Sequence, residues 1–347
     1  MDLTTLLIIL TVISVFIYDF TNGFHDSADM VATAIASRAM RAHTAIAIVS
    51  IFTFIGPLVV GLYVADTIGT FVDISDVALR DAQSLVIASL LAAVTYNLIT
   101  WKFGLPSSSS NSLAGGLVGA GLFVVGEHGI NWGFEALLHG ELTGLSKVVV
   151  GLFASPFLGF IIGFIIMKFI FFIFQRLTIK AKPFFVISQY FSVAWLGFSH
   201  GANDAQKGMA IIGMILLASH ETSEFTVPTW VILMCTTGIT LGTMFGGWSI
   251  IKTLGFEIYH LRVIHSVANQ LGSALVNTLA TLIGAPTSTT QVVVATLIGN
   301  GVAEKPSHVG WTRVMHIILG WFVNLPVSMM LGALYAYLII QILGVLS

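Results

Sequence analysis

The chain has 347 residues, of which 56% are hydrophobic and only 9% are charged, and its mean hydropathy is +0.96. An ordinary soluble domain carries about 25% charged residues, so the composition predicts a polytopic membrane protein. At about 20 apolar residues per crossing, the length allows on the order of ten helical segments, and the long unbroken apolar runs exclude barrel strands. The net charge of -2 provides no basic field, so a nucleic-acid partner is not expected.

The start of the chain and its single cysteine carry little chemistry. The first 18 residues, MDLTTLLIILTVISVFIY, begin with an acid and lack a small-residue cleavage site, which predicts a retained span rather than a signal peptide. Cys235 lies in an apolar run and has no second cysteine to pair with, so we interpret it as a small core residue.

The first unusual feature is a polar motif, NGFHDSAD, at the centre of the apolar stretch from residue 3 to residue 40. On a helix, Asn22, Asp26 and Asp29 would line one face because they stand at i, i+4 and i+7. An ionised group in hydrocarbon costs several kcal/mol unless it is paired, coordinated or hydrated, so this face is a functional candidate. The stretch is too long for one straight crossing, and we predict a broken helix or a tight helix pair here.

The polar motif has a second copy, HGANDAQK, in which Asp204 stands 178 residues after Asp26. It lies in a similar stretch, residues 184 to 218, for which we also predict a break. The alternative is that each carboxylate is a structural hydrogen-bonding residue, as occurs between membrane helices. Duplication of the whole cluster in register favours a function instead.

A second duplicated feature is a proline followed by hydroxyl residues. PSSSSN begins at Pro106 within the stretch 104–122, and PTSTTQ begins at Pro286 within the stretch 284–302. Serine and threonine after proline are typical of a helix start, whose first N–H groups are unpaired. The alternative for one copy alone is a merely capped helix. An amide also lies nine residues before each proline: Asn97 and Asn277.

The duplication predicts two repeats, residues 1–174 and 184–347, joined by a basic linker at 175–183. Because cytoplasmic loops collect Lys and Arg, Arg38 and Arg41 place the end of the first motif segment inside the cell. The equivalent end of the second segment carries Glu221 and Glu224 and is expected outside. The sequence therefore predicts an all-α membrane protein of two inverted-topology repeats, with broken helices and two re-entrant or short helical hairpins, an architecture of secondary transporters.

Two kinds of ligand follow from these features. Helix starts with N–H groups, hydroxyls and a positive dipole end suit an oxyanion, whereas carboxylate and amide oxygens suit a small cation. The two together predict cation-coupled anion symport, because the two ions compensate each other in the low-dielectric membrane centre. The candidate anion ligands are Ser107, Ser108, Ser109, Ser110, Thr287, Ser288, Thr289, Thr290 and Gln206. The candidate cation ligands are Asn22, Asp26, Asp29, Asn97, Asn111, Asn203, Asp204, Asn277 and Gln291. Lys207 is expected to pair with a carboxylate rather than to bind the anion.

The segments NGFHDSADMVATA, HGANDAQKGM, PSSSSN and PTSTTQ resemble the paired signatures of the inorganic phosphate transporter (PiT) family, and the resemblance covers essentially the whole chain. It implies a multi-pass symporter of the cell's inner (plasma) membrane that moves inorganic phosphate with Na+ or H+. Three carboxylates among amide oxygens favour Na+. One departure is Asp29, which stands where asparagine is more usual and adds a carboxylate.

Several alternatives remain open at this point. The family also includes sulfate carriers, so another oxyanion is an alternative substrate. An anion channel is a second alternative. A third is an intramembrane phosphate-ester hydrolase with a serine nucleophile and His25 or His200 as base, but no third orienting group is evident and an enzyme is not expected. No cofactor beyond the coupling ion is expected, and a homodimer is one option for the assembly.

Overall fold

The computed structural model describes residues 3–70, 72, 74, 77–174, 181–219, 222, 224–246, 248–256 and 258–346. These ranges are almost entirely helical, with an isolated β-bridge between Val72 and Ile130, which confirms the predicted all-α class. The helices are α1 (Leu3–Ala36), α2 (Ala42–Val59), α3 (Tyr63–Gly69), α4 (Leu79–Lys102), α5 (Ser109–Val124), α6 (Phe134–Leu138), α7 (Gly144–Phe174), α8 (Lys182–Ala218), α9 (Thr229–Phe245), α10 (Trp248–Phe256), α11 (Val263–Leu282), α12 (Thr289–Glu304) and α13 (Trp311–Leu346).

Several of these helices can cross a membrane. In the described ranges, five are long and apolar enough to do so, and a sixth span results if the bent pair α9 and α10 is taken as one. The chain is therefore a multi-pass membrane protein. The five are Thr5–Ala36, Ala42–Val59, Leu79–Lys102, Gly144–Phe174 and Trp311–Gly344.

The two motif helices are continuous, so the breaks expected within them are wrong. α1 runs through the first motif for 34 residues, and α8 runs through the second for 37 residues. Neither motif contains proline, and its polar side chains find partners on other helices, so the backbone keeps its own hydrogen bonds. At 1.5 Å per residue, each helix is about 50 Å long and must tilt or extend beyond the hydrocarbon. In the described ranges, the bent pair that can form a broken span is α9 and α10 instead.

The two hydroxyl segments form short helical hairpins, as expected. α4 turns into α5, and α11 turns into α12, through glycines with positive φ, Gly104 at +64° and Gly284 at +69°. The residue after each glycine closes the turn with the same bond, from Leu105 N–H to Thr100 O at 2.9 Å and from Ala285 N–H to Ala280 O at 2.8 Å. α5 and α12 have 16 residues each, about 24 Å, which is shorter than the roughly 30 Å of hydrocarbon.

The two halves of the chain pack into each other. α5 packs on α13 and α12 packs on α7, while α1 packs on α9 and α8 packs on α2. Exchanging the two halves converts the α5–α13 pairing into the α12–α7 pairing, and the α1–α9 pairing into the α8–α2 pairing, as expected for a duplicated unit. The inverted relation of the halves stays a prediction. Glu221, one of the residues used to predict it, lies outside the described residues, as do residues 175–180 of the predicted linker.

Close backbone contacts at two equivalent glycines hold the halves together. A Cβ on Gly23 of α1 would lie 2.0 Å from the carbonyl oxygen of Ile239 on α9. A Cβ on Gly201 of α8 would lie 2.1 Å from the carbonyl oxygen of Thr53 on α2. No side chain fits in either place, so these glycines allow the motif helices to approach their partners closely.

We predict that Gly23→Ala and Gly201→Ala each lower the midpoint of thermal unfolding in detergent. The added methyl group forces two backbones apart, at about 1–3 kcal/mol. Gly320→Ala on α13 is the matched control, because a Cβ there meets nothing within 4 Å of the described structure. Equal midpoints for all three variants would contradict the close approach.

Candidate functional site

The site lies where the two motif helices face each other. Asp26 and Asp29 of α1 and Asp204 and Lys207 of α8 are all buried, with at most 1% of each residue exposed. Ligand atoms of His25, Asp26 and Asp29 lie within 4.8 Å of one another, as do those of Asp26, His200 and Asp204. Asp26 therefore belongs to both clusters and joins the two halves.

The two hydroxyl segments converge on Asp26. The Ser109 hydroxyl, at the start of α5, donates to Asn22 Oδ1 at 2.6 Å and to Asp26 Oδ2 at 3.4 Å. The Thr290 hydroxyl, at the start of α12, donates to the other oxygen of Asp26 at 3.1 Å and also to Asp29. One carboxylate thus accepts hydrogen bonds from both halves of the chain.

The second motif makes related contacts. Asp204 accepts a hydrogen bond from the Thr289 hydroxyl at 3.4 Å, and its other oxygen pairs with Lys207. The Lys207 ammonium also donates to the Ser110 hydroxyl and, at 3.0 Å, to the Thr287 carbonyl oxygen. Lys207 therefore pairs with a carboxylate, as the sequence led us to expect.

Both hydroxyl helices begin with the same cap. Ser108 Oγ accepts from the Asn111 N–H at 3.0 Å, and Ser288 Oγ accepts from the Gln291 N–H at 3.3 Å. These two hydroxyl oxygens are used within their own helices. The first N–H groups that follow each cap have no partner inside the helix, which keeps both helix starts available to an anion.

Buried amides hold the hydroxyl segments in place. Asn203 of the second motif accepts from the Thr287 N–H at 3.1 Å and donates to Thr281 Oγ1 at 2.9 Å. Asn277 accepts from the Thr287 hydroxyl at 3.4 Å, and Asn97 accepts from the Ser112 hydroxyl at 3.3 Å. In these contacts the amides bond to residues of the two helical hairpins, not to the carboxylates.

Asn324 of α13 performs the same task and was missed by the sequence reasoning. Its amide donates to Ser107 Oγ at 3.1 Å and to the Ser108 carbonyl oxygen at 2.7 Å, and it accepts from the Ser112 hydroxyl at 2.9 Å. A lone asparagine within an apolar span is a signal that could have found it, because such an amide needs a partner in the membrane.

Three of the expected ligand side chains are placed differently: one caps another helix, one lines an apolar groove, and one has a buried oxygen without a hydrogen-bond partner. The Gln206 amide oxygen accepts from the N–H groups of Val64 and Ala65 at 2.8 and 3.0 Å, so this side chain caps α3. Gln291 lines an apolar groove between α7 and α13. The Asn111 amide oxygen is buried and has no hydrogen-bond partner in the described residues.

Asp19 is a further buried carboxylate that the sequence reasoning did not single out. It stands on α1 two turns before Asp26, and a Cβ on Gly208 would lie 2.3 Å from its Oδ2 atom. Within the described ranges, neither of its oxygens accepts a hydrogen bond from a nitrogen or oxygen donor. Its spacing of seven residues from Asp26, which places it on the same helix face, was the available signal.

The charges at the junction do not balance. Asp204 has an ammonium partner, whereas Asp26 and Asp29 lie side by side with hydroxyl and imidazole partners. Two ionised carboxylates this close in a medium of low dielectric repel strongly, and a cation between them removes the repulsion. The arrangement suits a cation beside Asp26 and Asp29 and an anion at the two helix starts.

Comparisons with known proteins identify the family of this chain. The phosphate transporter family matches residues 22–186 and 175–332. A probable low-affinity inorganic phosphate transporter of Rhizobium meliloti is 37% identical over 91% of this chain and 92% of its own length. One of Bacillus subtilis is 36% identical over 99% of this chain and 100% of its own length.

A solved structure shares the fold. It is described as the sodium-dependent phosphate transporter, with a TM-score of 0.84, 24% sequence identity, and coverage of 97% of this chain and 99% of that one. With the family matched over nearly the whole chain and the fold shared over the same extent, this chain belongs to the phosphate transporter family.

Proposed function

We propose that this protein is a secondary active transporter that takes up inorganic phosphate by symport with a cation, with Na+ favoured over H+, in the inner (plasma) membrane. One observation carries the proposal. Asp26 accepts hydrogen bonds from Ser109 and Thr290, which begin helices in opposite halves of the chain. The anion site and the cation site are therefore adjacent and share their side chains.

Phosphate fits the two helix starts better than it fits one. It is a tetrahedral anion with more acceptor positions than a single helix start can satisfy, and each start contributes unpaired N–H groups and roughly half a positive charge. The hydroxyls of Ser109, Ser110, Thr289 and Thr290 lie on both sides and donate to protein oxygens in this structure, and their protons would turn to the anion when it binds. The relatives named as phosphate transporters support phosphate over sulfate.

The coupling cation fits beside Asp26 and Asp29. The two carboxylates and the Asn22 amide provide hard oxygen ligands, which suit Na+, and the fold relative described as sodium-dependent supports the same choice. Each ion lowers the free-energy cost of binding the other, because neither charge then enters the buried site uncompensated. This mutual dependence is the physical basis of coupling.

The hydrolase alternative receives little support from the geometry. A hydroxyl, His200 and Asp204 do meet, but Thr289 Oγ1 at 3.2 Å and Asp204 Oδ2 at 3.0 Å both contact the same ring atom, Nδ1. A catalytic relay needs the acid on one ring nitrogen and the nucleophile on the other. His25 does have Asp26 on Nδ1 at 3.2 Å and the Thr100 hydroxyl on Nε2 at 3.4 Å, but that hydroxyl donates to the backbone carbonyl oxygens of its own helix. These contacts favour a binding site.

Uptake of radiolabelled phosphate by proteoliposomes tests the proposal. With an imposed Na+ gradient, we expect phosphate to accumulate above its outside concentration. An excess of sulfate should leave the uptake unchanged. Accumulation that follows a pH gradient and ignores Na+ would retain symport but refute Na+ as the coupling ion. Equilibration without accumulation would indicate a channel and refute symport.

We predict that Asp26→Asn abolishes coupled uptake while the protein stays folded. The substitution preserves shape but removes the charge that draws the cation between the two halves. Folding is checked by elution as a single species from a sizing column in detergent. Glu135→Gln, at an exposed position on α6, is the matched control and should transport normally. Normal uptake by Asp26→Asn would contradict the cation site.

We predict that Thr290→Val raises the apparent KM for phosphate on the order of tenfold, the effect of one lost hydrogen bond to a charged group. Thr296→Val is the matched control, because Thr296 is buried on the same helix and its hydroxyl has no hydrogen-bond partner in the described ranges. Equal KM values for both variants would show that the start of α12 does not bind phosphate.

A further inference from the structure

The two halves of the site differ by one exchange of charge. Asp29 stands three residues after Asp26 on α1, and Lys207 stands three residues after Asp204 on α8. The duplication relates Asp26 to Asp204 and Asp29 to Lys207, because the two members of each pair are 178 residues apart. One half thus carries a carboxylate where the other half carries an ammonium.

The two positions have matching surroundings. Thr290, from the second half, donates to Asp29 of the first half. Ser110, the residue equivalent to Thr290, contacts Lys207 of the second half. Each hydroxyl helix therefore reaches across the molecular junction to the same place in the opposite motif.

The Lys207 ammonium is surrounded by oxygen atoms of the kinds that would bind a free cation. It donates to a carboxylate oxygen of Asp204, to the Ser110 hydroxyl and to the Thr287 carbonyl. These contacts use all three of its N–H groups, so none is left for phosphate. Carboxylate, hydroxyl and carbonyl oxygens are also the ligands that hard metal cations prefer.

The equivalent place in the first half has no such occupant among the described residues. Asp29 Oδ1 is buried without a hydrogen-bond partner, and Asp26 and Asp29 share their surroundings with His25. The first half therefore presents two carboxylates to an ion from solution, whereas the second half presents a carboxylate that is already neutralised.

We infer that Lys207 is a built-in cation, whose ammonium permanently occupies the place in the second half that an exchangeable coupling cation takes in the first. This inference rests on the proposed symport. A tethered ammonium neutralises Asp204 in every step of the cycle but never leaves, so it contributes no driving force. The protein then moves one cation fewer per phosphate than a protein with both places exchangeable.

Counting bound 22Na+ on the purified protein at saturation tests the inference. Lys207→Asn removes the ammonium partner of Asp204 and leaves His200 and the Thr289 hydroxyl beside it, so we expect one more Na+ per protein than in the unchanged chain. The double variant Asp204→Asn with Lys207→Asn removes both charges and should return the count to its original value. An unchanged count in Lys207→Asn, or an extra ion in the double variant as well, would overturn the inference.

A mirror variant keeps the test decisive if Lys207→Asn does not fold. Asp29→Lys places a tethered ammonium in the first half, and we expect it to bind one Na+ fewer than the unchanged chain. An unchanged count in a folded Asp29→Lys protein would contradict a shared role for the two positions.

Transport provides a second readout. At a tenfold Na+ gradient with the membrane potential held at zero, one additional coupled Na+ should raise the limiting phosphate accumulation by Lys207→Asn about tenfold over the unchanged chain. If protons are the coupling ion, the same increase is expected at a pH gradient of about one unit. Equal limits for both proteins would overturn the inference, whereas failure of the unchanged chain to accumulate phosphate would refute the proposed symport itself.

Discussion

Charge buried in a medium of low dielectric decides how the helices of this protein are arranged. Among the described residues, four buried carboxylates and one ammonium lie between α1 and α8: Asp19, Asp26, Asp29, Asp204 and Lys207. Such groups persist only with partners, because an isolated ion in hydrocarbon costs several kcal/mol. These partners are the hydroxyl hairpins, the amides that hold the hairpins in place, and the ions that we propose are transported.

The same constraint explains why the halves interlock. Glycines at equivalent places let α1 and α8 approach helices from opposite halves, and α5 and α12 pack on α13 and α7. Each hydroxyl helix can then reach the motif of the other half, as Thr290 reaches Asp29. A change in how the halves pack would therefore change the ligand set, which would link the movements of the proposed symport to ion binding.

The sequence predicted the helical class, the two motifs and the two short hairpins, because polarity within apolar spans and proline before hydroxyls have direct physical meaning. It failed where side-chain partners decide the outcome. The motif helices do not break, because neither motif contains proline and hydrogen bonds to other helices, such as those from Ser109 to Asn22 and from Thr290 to Asp26, form without unwinding. Gln206 was predicted to bind the anion but caps α3, whereas Asn324, for which nothing was predicted, anchors α5. No local pattern shows which helix an amide will face.

An experimental structure with both phosphate and Na+ bound would show whether the two ions occupy this site together. We predict phosphate between the starts of α5 and α12, within hydrogen-bond distance of Ser109 and Thr290, with the cation beside Asp26 and Asp29. Phosphate bound far from both helix starts, or a cation at a place that none of these carboxylates reaches, would contradict it.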